Sequence, residues 1–302
     1  MIWFYLTILA VLFQTQRNLL QKNLRGKLDT IAVSWARVFF ILPFLLIALC
    51  FLLTIKTDLF HNLGIIFYVY CFGAAIAQII GTLCLVELFS RRNFVIGIAY
   101  MKTDTIQVAI LAAIFLSESI PTLGIAAIFM AVTGLILLTP SDSNLKLFER
   151  IFHKSAILGI GVGFFLSATT IFMKKAMVMV SLQDVSKILP VITVFIIYTI
   201  MQNIIYVVYE SYHKKLKTTF SNIMSYWKQC SLIGIFSFAG TICWLGAFSL
   251  QLVAYVKVVA QLEILLSFFI SHHFLKEKST KWETIGIILL ILSIVLILFV
   301  KS

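Results

Sequence analysis

The chain has 302 residues, of which 61% are hydrophobic and only 12% charged, with a mean hydropathy of +1.06. A soluble domain carries about 45–50% apolar and about 25% charged residues, so both departures exclude an ordinary soluble protein and indicate a membrane one. The formal charge of +12 does not indicate a nucleic-acid partner, because the basic residues cluster in short connections between apolar runs, as at Lys22–Lys27, His213–Lys217 and Lys276–Lys281.

Runs long enough for the roughly 20 residues that cross a hydrocarbon core lie at 2–20, 30–54, 63–88, 93–117, 121–139, 155–173, 183–209, 229–249, 250–275 and 282–300. The first, MIWFYLTILAVLFQTQRN, has no basic n-region and no small-residue cleavage site, so it reads as a spanning helix and not as a signal peptide. The stretch from Gln229 to Leu275 is divided because one helix of that length is far too long to cross once. Unbroken runs such as IGIILLILSIVLILFV lack the period-2 alternation of outer-membrane strands. Helices also satisfy their own backbone hydrogen bonds in lipid. The predicted fold is an all-α membrane protein with ten transmembrane helices, interrupted by two longer polar connections at Thr139–Lys154 and Tyr209–Gln229.

The first of these connections lies at the midpoint, which invites a search for a repeat. A shift of 159 residues lays LFSRRNFVIGIAYMKTDTIQVAILAAIFLSESI against AFSLQLVAYVKVVAQLEILLSFFISHHFLKEKS. Phe89 then meets Phe248, Phe115 meets Phe274, Leu116 meets Leu275, Glu118 meets Glu277 and Asp104 meets Glu263. Apolar matches are cheap in such a chain, whereas paired acids at one depth are not. The expected organisation is a first five-helix repeat over 1–140, a linker at 141–154 and a second repeat over 155–302. Five is odd, so the second half enters the bilayer inverted, with a site at mid-depth between the halves.

Lys102 and Asp104 lie about halfway through the 93–117 run, where each charge costs about 2.5–3.5 kcal/mol even on the lenient insertion scale. Two residues apart on a helix, they face nearly opposite directions and are poor mutual partners. Their partners must come from other helices or from a wet, solute-sized cavity. Glu263 is equally far from both ends of its run, and its short side chain cannot reach either interface. Arg37 ranks next; Arg17, Glu87 and Lys257 are nearer helix ends, from which a long basic side chain can reach headgroups. Polar and aromatic residues at helical spacing complete a candidate substrate-binding set: Tyr100, Gln107, Gln261, Trp244 and Lys257, with Gln14, Gln16 and Gln78 as further candidates.

The remaining signals are weaker. Pro190 is expected to kink the seventh helix. GIGVG at Gly159–Gly163 reads as helix packing, since the Lys-Ser/Thr of a phosphate loop does not follow it. Five cysteines without CxxC spacing indicate neither a disulfide framework nor a metal site. Nothing nominates a catalytic group, a cofactor or a metal.

The two aligned blocks each open on a Phe-Ser pair and close on F-L-x-E before a short last helix. In this they resemble the drug/metabolite transporter superfamily, and within it the ten-helix EamA-type carriers. The resemblance covers essentially the whole chain and is strongest at 88–138 and 247–297. It implies a 5+5 inverted repeat around a central cavity, lined by helices 1, 3, 4, 6, 8 and 9, and transport of amino acids, nucleotide-linked sugars, other metabolites or drugs. It also implies a structural role for Arg37, which matches an arginine often found in the second helix of these carriers. Where such carriers often have a proline at the centre of helix 4, this chain has YMKTD. Orientation stays open: Lys and Arg favour the odd-numbered loops, which places the termini outside the cytoplasm, whereas the resemblance implies cytoplasmic termini.

The functional expectation is a secondary transporter, not an enzyme, in the bacterial plasma (inner) membrane. Its cargo would be a small polar, charged or zwitterionic metabolite such as an amino acid or amine. Asp104 and Glu263 would hold the cationic end of the substrate or a coupling proton, and Lys102 its carboxylate or phosphate. The partners are then the solute, the lipid bilayer and a coupling ion, with no nucleic acid. One rival is a membrane-embedded enzyme acting on lipid, with Glu118, His272, His273 and Glu277 as its only candidates. The other is a structural membrane protein, in which Lys102, Asp104 and Glu263 pair with no cavity between them.

Overall fold

The structure, a computed structural model, describes residues 2–55, 63–91, 101–118, 120–138, 154–181, 188–266 and 281–299. These residues are helical throughout apart from turns and short links. In chain order the helices are α1 (Ile2–Arg25), α2 (Thr30–Phe39), α3 (Leu42–Ile55), α4 (Ile65–Arg91), α5 (Asp104–Phe115) and α6 (Thr122–Leu138). They continue with α7 (Lys154–Ser181), α8 (Leu189–Tyr212), α9 (Leu216–Ser225), α10 (Trp227–Leu250), α11 (Val253–Val259) and α12 (Lys281–Phe299).

Among the described residues, five spans are long and apolar enough to cross a membrane: Thr30–Cys50, Ile65–Ser90, Ile157–Ser181, Leu189–Tyr212 and Trp227–Leu250. The helix faces show why. On α4, Phe67, Cys71, Ala74 and Ala75 are buried, while Ile65, Ile66, Val69, Phe72 and Ile76 on the other side are exposed. On α5, Ile106, Ile110 and Ile114 make an exposed apolar ridge at four-residue spacing. A helix apolar on both its packed and its outward face suits hydrocarbon and not water. The protein is therefore an integral, multi-pass all-α membrane protein whose outer surface meets the lipid bilayer.

In lipid, packing cannot draw on the hydrophobic effect, so close approach through small residues matters more. The most extensive pairings are α4 with α7, α1 with α10 and α6 with α12. A Cβ added at Gly134 on α6 would lie 2.8 Å from the carbonyl oxygen of Gly286 on α12, so these two helices pack nearly backbone to backbone.

Several predicted runs are subdivided. The run at 30–54 breaks at Phe40–Ile41 into α2 and α3. Pro43 supplies the cause: it has no N–H to give to the carbonyl of Phe39, and its ring clashes with that carbonyl. Asp29 fixes the start of α2 by accepting a hydrogen bond from the Ala32 N–H at 2.7 Å. Pro190 does not kink a helix interior; it occupies the first turn of α8, where its missing donor costs nothing. The connection Tyr209–Gln229 is not a plain loop but carries α9, docked through buried Thr219 and Ile223, with Thr219 hydrogen-bonded to Glu210. The boundary expected between 249 and 250 falls at Gln251–Leu252, extended residues that separate α10 from α11.

The fourth and ninth predicted helices share a feature that no single run announced. Met101 is helical, Lys102 and Thr103 form a turn, and α5 restarts at Asp104. Likewise α11 ends at Val259, Ala260 and Gln261 form a turn, and 262–266 are helical again. Tyr100, residues 141–153 of the expected 141–154 linker, His272, His273 and Glu277 lie outside the described residues.

Candidate substrate chamber

Both helix breaks place an acid at the start of a new helical segment. Asp104 is the first residue of α5, and Glu263 is the second of the segment at 262–266. Three-residue turn bonds close each break, from Thr105 N–H to Lys102 O at 3.2 Å and from Glu263 N–H to Ala260 O at 3.1 Å. The breaks also face each other: Gln261 donates from Nε2 to Thr105 Oγ1 at 2.5 Å and to Lys102 O at 3.5 Å. Helix α7 presses on the first break. Ser167 donates to the Asp104 carbonyl at 3.0 Å, and a Cβ at Gly163 would lie 2.6 Å from Thr103 Oγ1. Gly161, two residues away, would meet nothing within 4 Å, so only one of the two glycines is required by packing.

The four central charges pair crosswise. Lys102 Nζ lies 2.7 Å from Glu263 Oε2, and Lys257 Nζ lies 2.6 Å from Asp104 Oδ2. Each pair joins a residue near the first break to one on the segments around the second. Lys257 therefore does not extend to headgroups, as its sequence position allowed, but is a central buried residue. Glu263 is wholly buried and also accepts from Gln14 Nε2 at 2.8 Å and Asn18 Nδ2 at 3.0 Å. Asn18 Oδ1 in turn accepts from Arg17 Nη2 at 3.1 Å. Trp244 donates its indole N–H to Gln14 Oε1 at 3.0 Å, and Lys257 Nζ stands 5.5 Å over the Trp244 ring.

These residues surround a cavity of about 70 Å³, whose walls include Gln14, Arg17, Arg37, Lys102, Asp104 and Lys257. That is room for several waters in a strongly polar setting. The charged interior thus encloses a space beside its paired lysines and acids.

Not every predicted residue faces this chamber. Gln107 turns to α7 and donates to Ile160 O at 3.3 Å, Gln16 is exposed, and Gln261 bridges the two breaks behind the wall. Glu87 forms an ion pair with Arg25 at 3.3 Å, with both side chains about a third exposed. Glu118 receives the Val253 N–H at 3.2 Å and so anchors the start of α11; Ser117, at φ 52°, turns the chain to bring it there. Lys174 donates to the carbonyls of Phe248 and Gln251 beside it. Two residues that sequence reasoning underused are Arg17, buried at the chamber and not at an interface, and Asn18, which carries the contact to Glu263. The signal was available: Gln14, Arg17, Asn18 and Gln21 recur at three and four residues, a polar stripe on one face of an otherwise apolar helix.

Residues 153–299 match the EamA-like transporter family. This match covers the second half of the chain, whereas the resemblance read from the sequence extended over both halves. A solved crystal structure, described only as that of a protein, superposes with a TM-score of 0.66 at 10% sequence identity, covering 97% of this chain and 95% of its own. At that identity the likeness establishes a shared fold and nothing about cargo. No curated protein matches the chain.

Proposed function

We propose that this protein is a secondary transporter of the EamA type that carries a small charged or zwitterionic solute through the chamber between two inverted five-helix halves. The observation that carries this reading is the crosswise pairing of Lys102 with Glu263 and of Asp104 with Lys257 around a polar cavity. The family match over 153–299 and the several membrane-crossing helices support a transporter in general. Support for the two-repeat organisation comes from the packing. If α1, α4, α7 and α10 are the first and third helices of each half, an exchange of halves turns the α1–α10 pairing into the α4–α7 pairing, and both are among the most extensive pairings of the described residues.

In this reading the ion pairs are the resting state, and solute binding rearranges them. A zwitterionic solute that separates one pair can answer both of its members, so that no bare charge is left in a low-dielectric interior. Protonation of Asp104 or Glu263 would release its lysine, which makes these acids the coupling sites of the proposal. The helix breaks supply the moving parts, because three-residue turns beside Asp104 and Glu263 bend at less cost than a continuous helix.

The test is solute exchange in proteoliposomes. Wild type should show saturable counterflow of a charged solute, and the double variant Asp104→Asn/Lys257→Gln, which leaves no unpaired charge, should fold and fail to exchange. Full exchange by that variant would remove the central pair from the mechanism. The structural-protein alternative draws on the same closed ion pairs, and it predicts no saturable exchange of any solute by wild type.

A further inference from the structure

The charges around the chamber do not balance. Among the described residues, four cations, Arg17, Arg37, Lys102 and Lys257, line the cavity, and the acids at hand are Asp104 in the wall and Glu263 behind it. Both acids are paired with lysines, so the surplus resides on the two arginines, of which Arg17 lies within electrostatic reach of Glu263 through Asn18. Neither Arg17 nor Arg37 forms an ion pair with a carboxylate among the described residues, though Arg17 and Arg37 are only 8% and 4% exposed.

Their hydrogen bonds are equally incomplete. Arg17 spends Nε and Nη2 on a single acceptor, Asn18 Oδ1. Arg37 donates from Nη1 to Thr82 Oγ1 at 2.6 Å, and its buried Nε has no acceptor. Gln21 Nε2, on the same wall, is also buried without a partner, and the Tyr198 hydroxyl lies close to Gln202 and to the Arg37 guanidinium. Buried donors are nearly always satisfied in native proteins, and each one left open incurs its full desolvation penalty. Open donors around two guanidinium groups that form no ion pair among the described residues therefore mark a place where an acceptor bearing negative charge belongs.

We infer that Arg17 and Arg37, with Gln21 and Tyr198, form an oxyanion subsite, and that the solute is a small organic or inorganic anion held by a carboxylate or phosphate group. The inference rests on the transporter reading for its physiological meaning but not for the existence of the site. It reverses the emphasis of the sequence, in which Asp104 and Glu263 pointed to a cationic or amine end. In the folded protein those acids are neutralised internally, and the free valence of the chamber is positive. It also assigns Arg37 a binding role where family likeness implied an anchoring one.

The test uses the purified full-length protein in detergent at constant ionic strength, titrated separately with inorganic phosphate, succinate and putrescine. A specific anion binds the folded form and raises Tm saturably with concentration. The expected result is a saturable rise with phosphate or with succinate, which tells a phosphate subsite from a carboxylate one, and none with putrescine. Arg37→Gln should weaken the apparent affinity at least tenfold, and Arg37→Lys should restore part of it. If Arg37→Gln does not fold, Arg17→Gln and Gln21→Leu carry the same expectation. A saturable rise with putrescine alone, or an anion effect of equal size in wild type and in the arginine variants, overturns the inference. Solute exchange in proteoliposomes then separates the two readings. Saturable anion binding without exchange of any solute overturns transport and leaves the subsite standing. Exchange of putrescine with no effect of either anion overturns the subsite and leaves transport standing.

Discussion

The chamber has two walls of opposite electrostatic character. Around the helix breaks, Lys102, Asp104, Lys257 and Glu263 form two ion pairs of 2.7 and 2.6 Å, and every charge is answered. Beside them, Arg17 on α1 and Arg37 on α2 present guanidinium groups that donate to the neutral acceptors Asn18 and Thr82. The first wall ties the segments around the two helix breaks together; the second forms no ion pair among the described residues. A buried ion pair is weak evidence of stability but strong evidence of constraint, since breaking one side strands the other.

The comparison is broken most forcefully by removing one member of a pair. Asp104→Asn or Lys257→Met alone should destabilise the protein by about 3–5 kcal/mol, because the surviving charge stays buried without a counterion. The combined variant should recover most of that loss, and thermal unfolding of the three proteins in detergent measures the coupling. Equal losses in single and double variants would mean that the pair does not act as a unit.

A steric intrusion at the same wall comes next. Gly163→Val places side-chain carbon where 2.6 Å already separates a Cβ from Thr103 Oγ1, and overpacking of this kind costs about 1–3 kcal/mol. Gly161→Val, facing open space, should leave the unfolding free energy within about 0.5 kcal/mol of wild type. The open wall responds differently. Arg37→Gln should cost little stability, since it removes an uncompensated buried charge, and its effect should be on solute affinity and not on Tm without solute. A large drop in Tm would show that Arg37 is an anchor after all. The smallest effect belongs to the peripheral pair: Arg25→Ala, with its partner Glu87 partly exposed, should change stability by about 0–1 kcal/mol and leave exchange untouched.

Legibility differed in the same way between walls. Lys102, Asp104 and Glu263 stood out because ions far from both ends of an apolar run have no bland explanation, and all three lie at or beside the chamber. Arg17 and Lys257 were discounted because long side chains near helix ends can reach an interface. Depth along a helix, however, does not say whether the residue faces lipid or protein, and both are buried. Gln107 shows the converse error: polar and mid-helix, it serves a backbone carbonyl on α7. The breaks at Lys102–Thr103 and Ala260–Gln261 carry neither proline nor glycine, so composition gave no sign of them; they are stabilised by contacts from α7 and from each other.

Sequence alone determined that the chain lives in a membrane as helices, since its apolar runs and their lengths admit no other way to satisfy the backbone in lipid. It also determined that charges sit at mid-depth. Only tertiary structure decided which of those charges cancel, because pairing depends on directions around helix axes and on distances between residues some 150 positions apart, and neither is written in local spacing. That is why the acids, the most conspicuous residues in the sequence, became half of a closed network, while the arginines emerged with charge to spare.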